Sequence, residues 1–193
     1  LIKRTVKKIL TPGTLIEEEY QEENESNTTT CVYNHENKYF LASINISLGD
    51  FAVTEVNTNL DLTSKLEEIN PSEIIITQNI EKNIFPIKFF INKINENLTY
   101  NQAYKLLITN IENNYEILQY KENKEEIISA GIVYNYALKA QNCKLNHIKT
   151  LNFINYKKYI TFGPHTIKHL EIFINKDNEK ENNCKEIRNL RSL

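Results

Sequence analysis

Residues 123–141 are the part of the sequence that most constrains how this chain folds. Plotted as a helix, the segment is apolar over more than half of its circumference, through Ile127, Ile128, Ile132, Val133, Tyr136, Ala137 and Ala140. A helix of this kind must be enclosed on most sides. Gly131 permits a neighbouring element to approach closely, and Asn123 is predicted to cap the first turn. The remaining elements therefore have to pack around one core helix.

Three strands are predicted ahead of this helix. The segments 30–33 and 39–44 are separated by the turn-rich residues 34–37, which predicts a hairpin. A second tight turn at Gly49 and Asp50 leads into the alternating segment 51–56. Three strands joined in this way predict an antiparallel meander.

A helix and a buried strand are predicted next. Residues 61–69 have apolar side chains at helical spacing, and Asn70-Pro71 stops the helix because proline disfavours helical geometry in the residue before it. The continuous apolar segment 73–77 is typical of a strand buried on both faces. Residues 81–98 are expected to be irregular, 101–112 helical, 145–153 extended and 164–175 helical. The predicted fold class is α/β, with a mixed sheet made of a meander and helix–strand crossovers and flanked by helices.

Composition narrows the class of protein. The 193 residues are 40% hydrophobic and 25% charged, with a net charge of −2, which argues against tight autonomous binding of nucleic acid. Three cysteines (Cys31, Cys143 and Cys184) predict a reducing compartment, and the absence of an apolar run of about 20 residues predicts no membrane span. We expect a cytoplasmic protein. The lack of Met and the start at Leu1 predict a processed chain or part of a longer one.

Several catalytic or ligand-binding chemistries find little support in the sequence. Zinc could be held by Cys143, His147, His165 and His169, but no Cys-x-x-Cys pair accompanies them, so no metal site is expected. No phosphate-binding loop of the G-x-x-x-x-G-K-[ST] type occurs, so no cofactor is expected on this chain. A DNA-contacting surface is conceivable among lysines and tyrosines, although a solvated basic face is the more ordinary interpretation (Lys144, Lys149, Lys157, Lys158, Lys168, Tyr156 and Tyr159).

A set of short motifs, in a fixed order, points to one family. Besides Thr11-Pro12-Gly13-Thr14, they are Asn45-Ile46-Ser47-Leu48-Gly49-Asp50-Phe51, Asn70-Pro71-Ser72-Glu73-Ile74, Ser129-Ala130-Gly131 with Tyr136-Ala137, Leu145-Asn146-His147-Ile148 and Thr166-Ile167-Lys168-His169-Leu170-Glu171-Ile172. In this order they resemble the MutS family of DNA mismatch-recognition ATPases. The family's usual acid on the second strand is replaced by Asn45, and its usual residues near the first core-domain helix are replaced by Gly163 and His169.

The resemblance implies a domain organisation and a role. Residues 1–16 are then a linker from an upstream mismatch-binding domain, 17–154 a connector domain of ribonuclease H-like fold, and 155–193 the start of the core or lever domain. The connector couples mismatch binding to the ATPase domains and offers a surface to a MutL-type partner. The parent protein is expected to bind mismatched duplex DNA in the cytoplasm, on the nucleoid, to use ATP and Mg²⁺, and to form a homodimer.

No catalytic, cofactor-binding or metal-binding residue is implied for this chain, only structural ones. Thr11, Pro12, Gly13 and Thr14 are expected to form a turn that enters the connector, Gly49 a hairpin turn, Asn70 and Pro71 a helix stop, and Gly131 a packing contact. Two alternatives remain open. One is a free-standing ribonuclease H-like nuclease, which Asn45 and the lack of paired carboxylates disfavour. The other is a small adaptor with no role on DNA.

Overall fold

The structure is a computed structural model that describes residues 11–13, 27–77, 80–95 and 97–155. Its sheet begins with the predicted antiparallel meander. Its strands are β1 (Thr28–His35), β2 (Lys38–Asn45) and β3 (Asp50–Val56), as predicted. The first turn is shorter than predicted, because Glu36 and Asn37 alone form it, with φ of 48° and 63°. Two residues with positive φ suit the right-handed twist of a hairpin.

Parallel strands extend the meander on both sides. Helix α1 (Asn59–Ile69) leads to β4 (Glu73–Ile76), which pairs in parallel with β1, and β5 (Ile91–Lys93) pairs in parallel with β4. At the other side β6 (Asn152–Ile154) pairs in parallel with β3, so the order is β5-β4-β1-β2-β3-β6. The predicted mixed α/β sheet is confirmed. Strand β5 lies within residues 81–98, which were expected to be irregular, because three residues are too few to show a periodic pattern. Of residues 145–153, which were expected to be extended, only the last two belong to a strand, β6, because the Ile148 amide donates to the Leu145 carbonyl at 3.0 Å and closes a turn.

Residues next to α1 in the sequence determine where this helix begins and ends. The Thr58 side chain accepts a hydrogen bond from the Asp61 amide at the start of the helix. At the other end Asn70 takes left-handed geometry (φ 46°, ψ 60°), and its amide donates to the Leu66 carbonyl at 2.8 Å. Asn is one of the few residues that adopts this geometry readily, and Pro71 follows it.

The remaining helices are α2 (Tyr100–Asn110), α3 (Tyr115–Gln119) and α4 (Lys124–Gln141). Helix α4 packs on β1, β2 and β3 and also contacts α2. The prediction that Asn123 caps α4 was wrong in its chemistry, since its side chain makes no capping hydrogen bond and binds Glu126 instead. The five residues of α3 were not predicted, because the segment is shorter than two helical turns.

Two apolar cores lie on opposite faces of the sheet. One is formed by α2, α4 and side chains such as Cys31, Ala42 and Phe51, and the other by α1 and side chains such as Val32 and Leu41. The sheet is therefore covered by helices on both faces. Within the described ranges, no helix combines the length and apolar character needed to cross a membrane.

Some predictions fall beyond the described residues. Thr14, the helix expected at 164–175 and every residue after Asn155 lie outside them. The proposed domain limits stay predictions.

Candidate functional site

A buried polar cluster lies where β4 begins, next to the N-terminal turn. Glu73, the first residue of β4, is fully buried and pairs in register with Thr29 of β1, which is also fully buried. On the other side of β4, Asn92 of β5 pairs in register with Ile75. Because alternate residues of a strand point to the same face, Glu73 and Ile75 both face α4. Tyr136 of α4 completes the cluster.

Tyr136 and Asn92 share one oxygen of the Glu73 carboxylate. The Tyr136 hydroxyl donates to Glu73 Oε1 at 2.6 Å, and Asn92 Nδ2 lies 3.2 Å from the same oxygen and 3.1 Å from the Tyr136 hydroxyl. Burial, together with the hydrogen bond to Glu73, raises the pKa of Tyr136 to about 12. The phenol therefore keeps its proton and acts as a donor. These bonds join β4, β5 and α4 at one point.

The N-terminal turn rests on this cluster. The side chain of Thr11 is hydrogen-bonded to the Tyr136 hydroxyl. Gly13 is buried, and a Cβ atom at this position would collide with Thr29 Oγ1 and lie 3.1 Å from Glu73 Cβ. Only glycine fits so close to the sheet. Pro12, between them, is exposed.

Pro12 and Gly13 stand out in the sequence as turn residues, whereas the side chains beneath them do not. Glu73 was expected to begin a buried strand and Tyr136 to lie on an apolar helix surface, and each also belongs to a family motif, but no contact between them was predicted. A usable signal existed, since a glutamate that heads a continuous apolar strand requires a hydrogen-bonding partner inside the protein. The identity of that partner depends on which helix covers the strand.

Asn45, the residue at the position where a nuclease needs an acid, supports a turn. Its Oδ1 accepts from the Leu48 amide at 3.0 Å, and its Nδ2 lies 3.3 Å from Thr28 Oγ1. Asp50 pairs with Asn45 across the hairpin and is exposed. In the part of the chain that the structure describes, no three His, Cys, Asp or Glu side chains form a group that could hold a metal ion.

The structure describes two of the four residues considered for zinc, Cys143 and His147. His147 donates from Nε2 to the Ile46 carbonyl at 2.7 Å, which ties the segment after α4 to the β2–β3 turn. Cys143 is exposed, and His165 and His169 lie outside the described residues. In the same turn Gly49 has φ of 80°, and a Cβ there would lie 3.1 Å from the His147 carbonyl oxygen.

Most of the lysines considered for DNA contact also lie outside the described residues. Lys144 and Lys149 are described, and both are exposed. The Lys149 ammonium lies 3.4 Å from Glu112.

A second group of charged side chains surrounds the start of α4. Glu126 lies close to Glu55 of β3 and to Glu125, while Lys38 forms an ion pair with Glu55 at 2.9 Å. Burial, followed by the repulsion of Glu55 and Glu125, raises the pKa of Glu126 to about 7. A carboxylate with a raised pKa opposes folding once it ionises.

We therefore expect the stability to fall as the pH rises from the usual glutamate range near 4.3 to about 7. The folded state holds this proton more strongly than the unfolded state, so ionisation favours unfolding. Replacing Glu126 by Gln should raise the free energy of unfolding at pH 8 by about 1–2 kcal/mol, allowing for screening by solvent, with little change at pH 4.5. Urea titrations at the two pH values measure this.

The matched control is Glu122→Gln, which changes an exposed carboxylate in the turn before α4. This variant should keep the pH dependence of the parent chain. An equal gain in both variants at pH 8 would mean that net charge, and not the surroundings of Glu126, sets the effect.

Exposed apolar side chains mark the surface near strand β5. Ile87 is fully exposed and Phe90 is 54% exposed, and both lie in the loop that leads into this edge strand. Leu48, in the β2–β3 turn, is also exposed. Exposed apolar side chains that lie next to one another often mark a surface that binds another protein.

The family profile and the similar proteins that match this chain all point to the MutS family. The family profile described as MutS domain II matches residues 27–149. The chain is 28% identical, over 94% of its length, to the DNA mismatch repair protein MutS of Caldanaerobacter subterraneus subsp. tengcongensis. It is 28% identical over 89% of its length to the protein of that name from Clostridium kluyveri, and 26% identical over 78% to that of Staphylococcus haemolyticus.

These relatives are much longer than this chain. The match covers 22% of the Caldanaerobacter protein, 20% of the Clostridium protein and 16% of the Staphylococcus protein. The chain thus spans about a fifth of the length of the relatives that it matches.

Proposed function

This chain belongs to the MutS family through its domain II, and from this premise we propose that it is the connector module of a MutS-type mismatch-repair protein. The observation that carries the proposal is the family match over residues 27–149, which include α4 and every described strand except β6. In this role the chain couples mismatch binding in one domain to ATP hydrolysis in others. It performs no chemistry itself.

We propose a ribonuclease H-like arrangement for the fold. The meander β1-β2-β3, followed by α1 and by a strand parallel to β1, supports this assignment. For the domain limits we propose a linker at 1–16, the connector at 17–154 and the start of the core or lever domain at 155–193.

The packing of the sheet and helices suits a module that passes movement between neighbouring domains. Helix α4 lies against three strands and against α2, and the Ser129 hydroxyl donates to the Phe40 carbonyl at 2.9 Å inside the core. A close-packed interior has low compressibility and transmits displacement at one end to the other.

The parent protein supplies the remaining activities in this proposal. ATP and Mg²⁺ act in its other domains, mismatched duplex DNA is bound through it, and two copies form a homodimer. The cytoplasm, on the nucleoid, is the location that fits these roles.

For the MutL-type partner we propose the surface around Ile87 and Phe90. Both side chains expose apolar area next to edge strand β5, with Lys88 between them. An apolar centre with a basic residue beside it is a common composition for a site that binds another protein.

The purified chain should retain a cognate MutL-type protein at micromolar concentration in a pull-down. The double change Ile87→Ser and Phe90→Ser should weaken retention at least tenfold, because a few apolar contacts supply most of the binding energy at an interface. Leu48→Ser is the control, since it removes a comparably exposed apolar group from the β2–β3 turn. Retention is measured by quantitative band intensity over a concentration series.

Other outcomes would favour the alternatives. Lack of retention by the parent chain counts for an adaptor that has another partner. Equal loss in the Leu48→Ser control places the binding surface elsewhere. Cleavage of labelled RNA–DNA hybrid duplexes with Mg²⁺ or Mn²⁺, abolished by an acid-to-amide change, would identify a nuclease and overturn the proposal.

A further inference from the structure

The buried cluster beneath the N-terminal turn contains two oxygens that lack partners. Within the described residues, Thr29 Oγ1 and Glu73 Oε2 are both buried and neither has a hydrogen-bonding partner. Thr29 and Glu73 are register partners on adjacent strands, and both side chains lie directly under Gly13. The same short turn therefore covers both oxygens.

Unpaired buried oxygens favour a state in which water can reach them. A polar group that has left water without gaining a partner destabilises the state that buries it. Closure of the turn is favoured by the hydrogen bond from Thr11 to Tyr136 and by the close contact of Gly13 with the sheet. The closed arrangement thus combines a favourable contact with an opposing desolvation cost at one place.

We propose that residues 11–13 are a lid that opens and closes over the Glu73 cluster while the sheet stays folded. When the lid is open, water hydrates Thr29 Oγ1 and Glu73 Oε2. When it is closed, Thr11 binds Tyr136 and Gly13 seals the cluster. Tyr136 belongs to α4, so the state of the lid reaches the core helix directly.

The lid gives a connector a two-state element at the point where the chain enters it. An element with two arrangements of similar free energy can be shifted by a small pull from a neighbouring domain. This use of the lid rests on the proposed function. The lid itself is a property of the 193-residue chain and is tested without any partner.

Hydrogen exchange of the Gly13 amide, measured by NMR in the full chain at low urea concentrations, tests the lid. We expect the Gly13 amide to be protected but to exchange at a rate almost independent of urea, because opening three residues exposes little surface. Amides of β1 and β2 should accelerate steeply with urea. A Gly13 amide that follows the urea dependence of these strands, or that has no protection at all, would overturn the proposal.

Two substitutions should move the lid in opposite directions. Tyr136→Phe removes the hydroxyl that binds Thr11, so exchange at Gly13 should become about tenfold faster. Thr29→Val removes one unpaired oxygen from the closed state, so exchange at Gly13 should become about tenfold slower. Thr29→Ser, which keeps the hydroxyl, is the control and should stay close to the parent.

The opposite signs distinguish a lid from an ordinary packing contact. Faster exchange at Gly13 in both Tyr136→Phe and Thr29→Val would show that Thr29 merely supports the turn, and the proposal would fail. Strand amides in each variant report whether the sheet is intact, so a misfolded variant is recognised from the same spectra. Loss of MutL retention has no bearing on these rates.

Discussion

Replacing Gly131 by Leu should lower the free energy of unfolding by about 3 kcal/mol, at the upper end of what overpacking a core costs. Gly131 lies in the middle of α4 and faces Ala103 of α2. A Cβ at this position would lie 2.5 Å from Ala103 Cβ and 2.9 Å from Ala103 Cα. The second of these contacts involves the backbone of α2, which cannot move aside as a side chain can. Urea denaturation of the parent and the variant measures the loss.

The smaller change Gly131→Ala allows a matched cycle. Alanine favours a helix over glycine by about 1 kcal/mol, so a loss of stability in this variant must come from the contact with Ala103. Adding Ala103→Gly should restore part of the loss, although Ala103→Gly alone destabilises α2. Additive effects of the two changes, or an unchanged midpoint for Gly131→Leu, would mean that the helices do not meet here.

Replacing Phe51 by Ala should cost about 3–5 kcal/mol, the range observed when a large aromatic residue is removed from a core. Phe51 of β3 is 1% exposed, and its ring stacks on Tyr134 of α4 with 5.9 Å between the ring centroids. The pair therefore joins the meander to the core helix. The loss is measured by thermal and urea denaturation, which should agree.

The same hairpin provides the control. Leu48 is 74% exposed, so Leu48→Ala should change the stability by no more than about 0.5 kcal/mol. Similar losses in Phe51→Ala and Leu48→Ala would indicate that the β2–β3 turn is sensitive to any change and that the stacking on Tyr134 is unimportant.

Both predictions concern the stiffness that the proposed role requires. A connector passes on the movement of its neighbours only if its sheet and its core helix move together. Gly131 brings α4 against Ala103 of α2, and Phe51 joins α4 to β3 through Tyr134. Weakening either contact should therefore reduce coupling in a MutS-type protein even though neither residue touches DNA or a nucleotide.

Elements with strong local signals were predictable. The β1–β2 hairpin, the end of α1 near Asn70 and the length of α4 agree with the sequence patterns to within a few residues. Each depends on residues close together in the chain, such as a turn dipeptide or an asparagine that accepts left-handed geometry. The family motifs, which are also local, led to a resemblance that the comparisons support over residues 27–149.

Features that depend on distant partners were not predictable. Strand β5 exists because β4 offers a free edge to a three-residue segment. Asn123 precedes α4 as expected, yet its side chain binds Glu126, whose surroundings include Glu55 from a different strand. Neither choice is visible in a local pattern, because the competing partners lie far away in the sequence.

The sequence alone determined the kind of fold and the family, because apolar periodicity, turn residues and short motifs are properties of neighbouring residues. Only the tertiary structure decided what the N-terminal turn rests on. Glu73, Asn92 and Tyr136 come from three elements, and they meet because β4 lies between β1 and β5 beneath α4. A hydrogen-bonding group in a core takes whichever partner the packing brings to it, and that packing depends on the whole sheet.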